Sequence, residues 1–215
     1  MERQKDWSGN TKSIYVTLGA SNHVEEEREE NDYYATHPKA VEMLLDLEEF
    51  DNNILEPCCG EGHISKVLEA HGFSVRSMDK IDRGYGEGGV DFLEFNDAVD
   101  ADIITNPPYK LAQEFVEHAM DIVTDGHKVC MFLKLTFLES SGRKDLFRKY
   151  PPKKIWVSSS RIPCGKNGDF YDRDKDGNIK YDKSGNPKEV SSAVCYAWFV
   201  FEKGYDGPII VDLFN

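Results

Sequence analysis

The sequence lacks several features that would place the protein in other classes. Its five cysteines form no C-x-x-C pair and no even-numbered framework, which argues against a disulfide-stabilised domain and favours a reducing, cytoplasmic setting. Its longest apolar run, 193–201, is nine residues long, too short to span a bilayer. The first ten residues are charged and polar, so we expect no signal peptide. The six histidines show no ligand spacing, and we predict no metal site.

Positive charge is also scarce. The chain has 26 Lys and Arg against 39 Asp and Glu, and this net charge of −13 argues against a protein that simply coats nucleic acid. The charge is unevenly distributed, because residues 1–100 hold 9 basic against 23 acidic side chains and residues 101–215 hold 17 against 16. The basic stretch 143–168, with eight basic residues and one acidic residue, is either a phosphate-binding face or a solvated helix followed by a turn.

What the sequence does contain is the motif Asn106-Pro107-Pro108-Tyr109, directly after the apolar stretch 101–105. Each proline fixes its own φ and removes an N–H donor, so the loop keeps its shape without hydrogen bonds of its own. The side-chain oxygen of Asn106 and the neighbouring backbone carbonyls are then free to accept protons from an external amino group. Tyr109 offers a flat face to the ring that carries this group. The motif indicates methyl transfer to an amino nitrogen on a planar ring.

A second pattern, further upstream, is typical of a strand, a glycine turn and a helix start. Gly60 and Gly62 let the backbone approach a ligand closely, and the helix N-terminus favours the carboxylate of that ligand. The next predicted strand ends at Asp79, nineteen residues after Gly60, about the spacing at which dinucleotide folds place a ribose-binding carboxylate. Asp91 and Phe92 follow as candidates to hold the edge and face of an adenine.

Predicted strands and helices alternate along most of the chain. The strands are continuously apolar, which predicts a mostly parallel sheet covered on both faces. We predict that residues 1–31 form a weakly ordered acidic segment, since they include the charge run 25–30. Residues 32–215 are predicted to form a single domain. Within it, Asp-Gly and Ser-Gly-Asn turn signals predict a surface excursion at 161–191.

These motifs, in this order, resemble the class I S-adenosylmethionine-dependent methyltransferases, specifically the small phage and prophage DNA adenine-N6 methyltransferases. The resemblance covers roughly residues 32–204. It implies an α/β, Rossmann-like class I methyltransferase fold, with a mostly parallel seven-stranded sheet and helices on both faces. It also implies one antiparallel strand near the C-terminus, which we assign to 194–201. The implied cofactor is S-adenosyl-L-methionine, and the implied partner is duplex DNA with a flipped adenine.

The resemblance implies a role for each matching position. The segment from Glu56 to Gly62 would cradle the methionine moiety, and a Thr-x-Pro element at Thr36 would pack over it. The implied cofactor-binding residues are Tyr34, Thr36, Glu56, Pro57, Cys58, Gly60, Gly62, Asp79, Asp91, Phe92 and Asn106. The implied catalytic residues, which would hold the target base, are Asn106, Pro107, Pro108 and Tyr109.

On the substrate side we assign Lys110, Arg161, Lys166 and Phe170. Lys110 follows the motif directly, and Arg161 and Lys166 belong to the basic stretch. Phe170 is a candidate to stack on an extruded base, or alternatively to pin the excursion down by packing. No separate target-recognition domain fits in the chain, so recognition would come from the N-terminal segment, the basic stretch, the excursion or a partner subunit.

Other interpretations stay open at this point. RNA bases or a protein glutamine amide are also methylated behind Asn-Pro-Pro-Tyr, although the Glu-Pro-Cys-Cys-Gly form and the Thr36–Pro38 element favour DNA. A third interpretation is a non-catalytic, cofactor-binding partner subunit. The acidic composition is consistent with it, and the intact methyl-acceptor motif argues against it.

Overall fold

The structure is a computed structural model, and it describes residues 34–160, 162–166, 168–190, 192 and 194–214. The strands in these residues are β1 (Tyr34–Thr36), β2 (Asn53–Glu56), β3 (Ser74–Asp79), β4 (Glu87–Gly88), β5 (Asp102–Thr105), β6 (Lys128–Lys134), β7 (Lys154–Ser158), β8 (Cys164–Lys166), β9 (Tyr196–Glu202) and β10 (Ile210–Phe214). The α-helices are α1 (Pro38–Leu47), α2 (Ser65–Ala70), α3 (Ala112–Ile122) and α4 (Lys144–Lys149). Short 3-10 turns lie at Phe92–Glu94, Tyr109–Leu111, Leu135–Glu139 and Ser141–Arg143.

Eight of these strands form one sheet, in the order β10-β7-β9-β6-β5-β2-β3-β4. Every neighbouring pair is parallel except the two pairs that include β9. The mostly parallel sheet with one antiparallel strand near the C-terminus is therefore confirmed. The described sheet has eight strands rather than the predicted seven, because β10 pairs in parallel with β7 at one edge. A short strand of this kind carries no periodic signal that separates it from an apolar C-terminal stretch.

Helices cover both faces of the sheet, and the buried middle of β6, residues 129–133, is apolar at every position. Val129, Met131 and Leu133 are buried in one core cluster together with the inner side of α3. Cys130 and Phe132 are buried in a second cluster together with α1 and α2. Successive side chains of a strand point to opposite faces, so a strand between two helical layers needs an apolar residue at every position.

The smaller sheet consists of β1 and β8, which pair with each other in antiparallel orientation. Tyr34 lies opposite Lys166, and Thr36 lies opposite Cys164. The pairing joins the element before α1 to the start of the predicted excursion. Farther along the excursion, tight turns occur at the predicted Asp-Gly and Ser-Gly-Asn positions, where an aspartate side chain accepts backbone N–H groups two and four residues ahead.

The connection between β3 and β5, residues 80–101, is described in full and contains no α-helix. It consists of β4, the 3-10 turn at Phe92–Glu94 and irregular chain. None of the helices in the described residues is long and apolar enough to cross a membrane. The segment predicted to be weakly ordered, 1–31, lies outside the described residues.

Candidate active site

The two sequence motifs lie at the same edge of the large sheet. β2 and β5 are parallel neighbours, with Leu55 opposite Ile103. Because the carboxyl ends of parallel strands meet at one edge, the glycine loop after β2 and the Asn106 loop after β5 are adjacent. Open α/β sheets bind their ligands outside this edge.

The glycine loop begins at Glu56, a carboxyl group that is 1% exposed. It accepts the backbone N–H of Ser65 at 2.8 Å and contacts the hydroxyl of the same residue. That hydroxyl lies 2.6 Å from the hydroxyl of Ser77 on β3. Burial raises the pKa of Glu56 to about 8, although the two Ser65 donors act in the opposite direction. Glu56 therefore ties the end of β2 to the start of α2.

Asp79, at the end of β3, holds the loop from the other side. One carboxylate oxygen accepts the backbone N–H of Gly60 at 2.8 Å, and the other accepts the N–H of Ile81 at 2.8 Å. Gly60 has φ 55°, a backbone conformation that favours glycine. Both oxygens of this carboxylate are thus engaged by the backbone, with lone pairs remaining for a ligand hydroxyl.

Gly62 is required by the close approach of an aromatic ring. Its φ is 80°, and a Cβ at this position would lie 2.5 Å from the Tyr85 ring. The Tyr85 hydroxyl donates to Glu69 at 3.1 Å. Pro57 is buried, and burial raises the pKa of the Cys58 thiol well above its usual value, with the Asp79 and Glu56 carboxylates acting in the same direction. Cys58 is a neutral thiol that packs in the loop.

The predicted adenine-binding pair separates into one accessible and one buried residue. Asp91 accepts the N–H of Leu93 at 3.1 Å and pairs with Lys80 at 2.7 Å. The hydrogen bond from Lys80 lowers the pKa of Asp91. The Phe92 ring is 1% exposed and packs in the core, with its centroid 5.3 Å from that of Phe115. Within this pair, only Asp91 offers a side chain to a ligand.

Asn106 has one half of its amide engaged and the other half unpartnered. Its Nδ2 donates to the backbone carbonyl of Tyr34 at 2.8 Å. A carbonyl can only accept, so this contact assigns the nitrogen and the oxygen of the amide. The Oδ1 atom is buried and accepts no hydrogen bond from any described residue. A buried acceptor without a donor is uncommon in a folded protein and indicates a place for a ligand donor.

Thr36, on β1, carries a second polar atom of this kind. The residue is 2% exposed, and its Oγ1 has no hydrogen-bond partner in the part of the chain that the structure describes. Because Tyr34 and Thr36 both belong to β1, one strand supplies the carbonyl that orients Asn106 and a second unpartnered polar atom.

Tyr109 lies in a group of aromatic rings. Its centroid is 6.0 Å from that of Tyr34 and 5.8 Å from that of Tyr196, both tilted. The Lys134 ammonium lies 4.5 Å above the ring, and the hydroxyl is 3.4 Å from the Cys164 thiol. Burial raises the Tyr109 pKa well above its usual value. Pro107 is buried and Pro108 half-buried, and the Pro108 carbonyl accepts from Leu111 to begin the next turn.

The Phe170 ring packs against two histidine rings. Its centroid is 4.9 Å from that of His37, the N-cap of α1, and 5.7 Å from that of His63. A Cβ on Gly165 would lie 2.8 Å from the Phe170 ring, so the ring packs directly on β8. These contacts favour the packing alternative for Phe170, and its stacking on a base stays a prediction.

Of the other predicted substrate residues, the structure describes Lys110 and Lys166. Lys110 is exposed beside Tyr109. Lys166 ends β8, opposite Tyr34, and Arg161 lies outside the described residues. No group of three or more His, Cys, Asp or Glu side chains in the described residues is arranged to hold a metal ion.

Sequence reasoning missed three residues around Tyr109, namely Lys134, Cys164 and Tyr196. Each is distant from the motif in the chain and is brought to it by sheet pairing, since Lys134 lies opposite Tyr196 in β6 and β9. The available sequence signal was Lys134 itself, a charged residue at the carboxyl end of the apolar strand β6.

No family model matches the sequence, and no curated protein is significantly similar to it. Solved structures do share the fold. One is the Pyrococcus horikoshii protein PH1948, which has been proposed to be an RNA methyltransferase. It superposes with a TM-score of 0.55 and 14% sequence identity, and the match covers 92% of this chain and 99% of that chain. Another is the modification subunit of a proposed type I restriction enzyme from Vibrio vulnificus. It superposes with a TM-score of 0.55 and 13% sequence identity, and the match covers 87% of this chain and 48% of that chain.

A third structure, from Listeria monocytogenes and proposed to be a class I S-adenosylmethionine-dependent methyltransferase, gives a TM-score of 0.52 at 14% identity, over 94% of this chain and 71% of that chain. The chain spans about half the length of the Vibrio subunit that it matches. Identities this low establish the fold alone, and the protein has the class I methyltransferase fold.

Proposed function

We propose that the protein transfers a methyl group from S-adenosyl-L-methionine to the exocyclic N6 amino group of adenine in DNA. The observation that carries this proposal is the buried Oδ1 of Asn106, which has no hydrogen-bond partner among the described residues and whose amide is held by the Tyr34 carbonyl. An amino group on a planar ring supplies the donor that this oxygen lacks. The aromatic ring of Tyr109 follows three residues later for the ring itself.

The residues at the end of β2 fit the cofactor. Gly60 and Gly62 adopt positive φ and leave the loop without side chains at these positions. The Thr36 hydroxyl is buried and has no partner in the described part of the chain. Asp79 has lone pairs left for a ribose hydroxyl, and Asp91 is the candidate for the adenine edge. When bound, S-adenosylmethionine supplies an electrophilic methyl group at the same sheet edge as Asn106.

The chain's own contribution to the reaction is orientation and electrostatic stabilisation. Asn106 Oδ1 accepts one amino proton of the base, and the Pro107 carbonyl is the candidate acceptor for the second. Both contacts draw the nitrogen lone pair out of conjugation with the ring, so the nitrogen becomes a better nucleophile for in-line displacement. Both oxygens also stabilise the positive charge that develops on the nitrogen. The proton leaves to water after transfer, so no strong general base is required.

RNA is the second candidate for the methylated polymer. The match to the Pyrococcus protein, which is named an RNA methyltransferase, covers 99% of that protein. The match to the Vibrio modification subunit covers only 48% of that subunit. The Glu-Pro-Cys-Cys-Gly loop and the Thr36–Pro38 element support DNA by resemblance.

The test is a radiolabelled methyl-transfer assay on unmethylated DNA, with total RNA in parallel and nucleoside analysis of the product. Asn106→Ala should lower the rate by about 10²- to 10³-fold, the usual cost of one transition-state hydrogen-bond partner. The loss of cofactor affinity should be smaller than the loss of rate. Asn96→Ala is the matched control, because this exposed amide also donates to a backbone carbonyl, that of Glu94, at 2.7 Å.

Each result has a clear meaning. N6-methyladenine in DNA that is lost in Asn106→Ala but not in Asn96→Ala establishes the proposal. The same product in RNA alone moves the substrate to RNA. Intact cofactor binding without transfer to either polymer overturns the proposal and favours a glutamine amide substrate or a non-catalytic subunit.

A further inference from the structure

Lys134 differs from the other half-buried lysines of the sheet. Lys128 pairs with Glu48 at 2.8 Å, Lys154 pairs with the same glutamate at 3.0 Å, and Lys153 pairs with Glu202 at 2.7 Å. Lys134 is also half-buried, yet no carboxylate in the described residues pairs with it. Its recorded contact is the face of the Tyr109 ring, 4.5 Å from the ammonium.

An unpaired ammonium at this place is informative because the chain is rich in acids. There are 39 Asp and Glu residues against 26 Lys and Arg, so a carboxylate partner is the common situation for a lysine. Taking an ammonium partly out of water without an anion is unfavourable, and an aromatic face compensates only in part. Lys134 thus has unused capacity for an anion from outside the chain.

The position of Lys134 limits what that anion can be. The ammonium lies over Tyr109 at a distance that a stacked base would use, so it shields this face of the ring when the acceptor site is empty. A base that stacks on this face displaces the ammonium, and the long lysine stem allows a short movement to one side. The negative group that always accompanies a base in a polynucleotide is the neighbouring phosphodiester.

We propose that Lys134 is a positioning residue that exchanges partners when substrate enters. It covers the Tyr109 ring in the free protein and binds a backbone phosphate beside the flipped nucleotide in the complex. This inference rests on the proposed function, because it assumes a polynucleotide whose base stacks on Tyr109. It adds a specificity to that function, since a free base or a glutamine amide carries no such phosphate.

The experiment first locates one methylated adenine in a short DNA duplex with the wild-type protein. The phosphates around this adenine are then replaced one at a time by neutral methylphosphonates, and kcat/KM is measured for wild type and Lys134→Met. In the wild type, one position should lower kcat/KM by about tenfold or more, as expected for a charge-assisted hydrogen bond. In Lys134→Met the same position should have no effect.

Two further variants separate a phosphate contact from simple packing. Lys134→Arg should recover most of kcat/KM, because Arg also binds phosphate. Lys153→Met removes a positive charge and a cation–π contact with Tyr205 at the opposite, amino-terminal end of β7, and should keep the methylphosphonate penalty of the wild type. The logarithm of the DNA-binding constant falls linearly with the logarithm of the salt concentration. The slope of this line should be about one unit less negative in Lys134→Met than in the wild type, and unchanged in Lys153→Met.

The outcomes distinguish the two proposals. An equal methylphosphonate penalty in wild type and Lys134→Met at every position, or full activity of Lys134→Met, overturns the role of Lys134 and leaves the proposed function standing. If only RNA is methylated, the same phosphate replacements and protein variants are measured with an RNA oligonucleotide, because both polymers contain phosphodiesters. Methylation of neither polymer by the wild type overturns both proposals together.

Discussion

The glycine loop and the two segments that carry Thr36 and Asn106 satisfy their polar groups differently. Around the glycine loop, both Asp79 oxygens accept backbone N–H groups, and Glu56 accepts a hydrogen bond from Ser65. Thr36 Oγ1 and Asn106 Oδ1, in contrast, are buried without hydrogen-bond partners in the described residues. The loop carries its own hydrogen bonds, whereas the other two positions are available to a ligand.

The difference separates groups that hold the loop from groups that bind a ligand. Buried polar atoms are almost always paired, because an unpaired one costs about 1–3 kcal/mol. Changing a paired group should therefore change the stability of the folded protein or its pH dependence, whereas removing an unpaired group should weaken only the complex. Three substitutions test this contrast.

The largest effect is expected for Glu56→Gln. Burial holds the pKa of Glu56 at about 8 in the folded protein against its ordinary value of 4.5, so between these pH values the unfolded chain has released a proton that the folded chain retains. Stability of the wild type should fall as pH rises from 5 to 8, by at most on the order of 4 kcal/mol. Glu56→Gln should remove this fall, which urea unfolding at several pH values measures.

Glu114→Gln, on the exposed side of α3, is the control and should keep the pH dependence of the wild type. If the stability of Glu56→Gln fell between pH 5 and pH 8 as much as that of the wild type, the pH dependence would not come from this buried carboxyl.

The next effect concerns Asp79→Asn. An amide has a single acceptor oxygen, so the N–H of either Gly60 or Ile81 would face the new NH2 group. We expect a loss of about 1–3 kcal/mol in the free energy of unfolding and weaker cofactor binding, measured by calorimetry. Asp82→Asn is the matched case, because Asp82 uses one oxygen for the Gly84 N–H and the amide can keep that bond. Equal losses in both variants would remove the special role of Asp79.

The smallest effect is expected for Thr36→Val, where the unpaired hydroxyl is replaced by a methyl group. The free energy of unfolding of the free protein should stay the same or rise by up to about 1 kcal/mol, while cofactor affinity falls. Thr124→Val should instead destabilise the protein by about 1 kcal/mol, because the Thr124 hydroxyl donates to Asp100 at 3.0 Å. Thermal unfolding with and without cofactor measures both. A destabilised free Thr36→Val would end the comparison.

The large sheet could be predicted from the sequence because its signals are local. Continuous apolar strands predicted burial on both faces, and the family resemblance implied the antiparallel strand, which was assigned to the apolar run that ends at Phe201. The edge strand β10 was missed, since Ile210 and Val211 are half exposed or more and give neither an alternating nor a buried pattern.

The candidate site was predictable only where one short segment carries it. The Asn106 loop and the glycine loop were recognised by their residues, whereas the contact of Asn106 with the Tyr34 carbonyl depends on a pairing of distant strands. The core position of Phe92 depends likewise on α3, which packs its Phe115 against that ring. Propensity and spacing contain no information about such contacts.

The pairing of β1 with β8 also has a consequence for the order of folding. Tyr34 and Asn106 are 72 positions apart in the chain, and β1 meets β8 from a point still farther along. Contacts between distant segments form late, because the entropy of closing a long loop must be overcome first. The Asn106 amide would therefore acquire its orientation in one of the last steps of folding, when β1 pairs with β8.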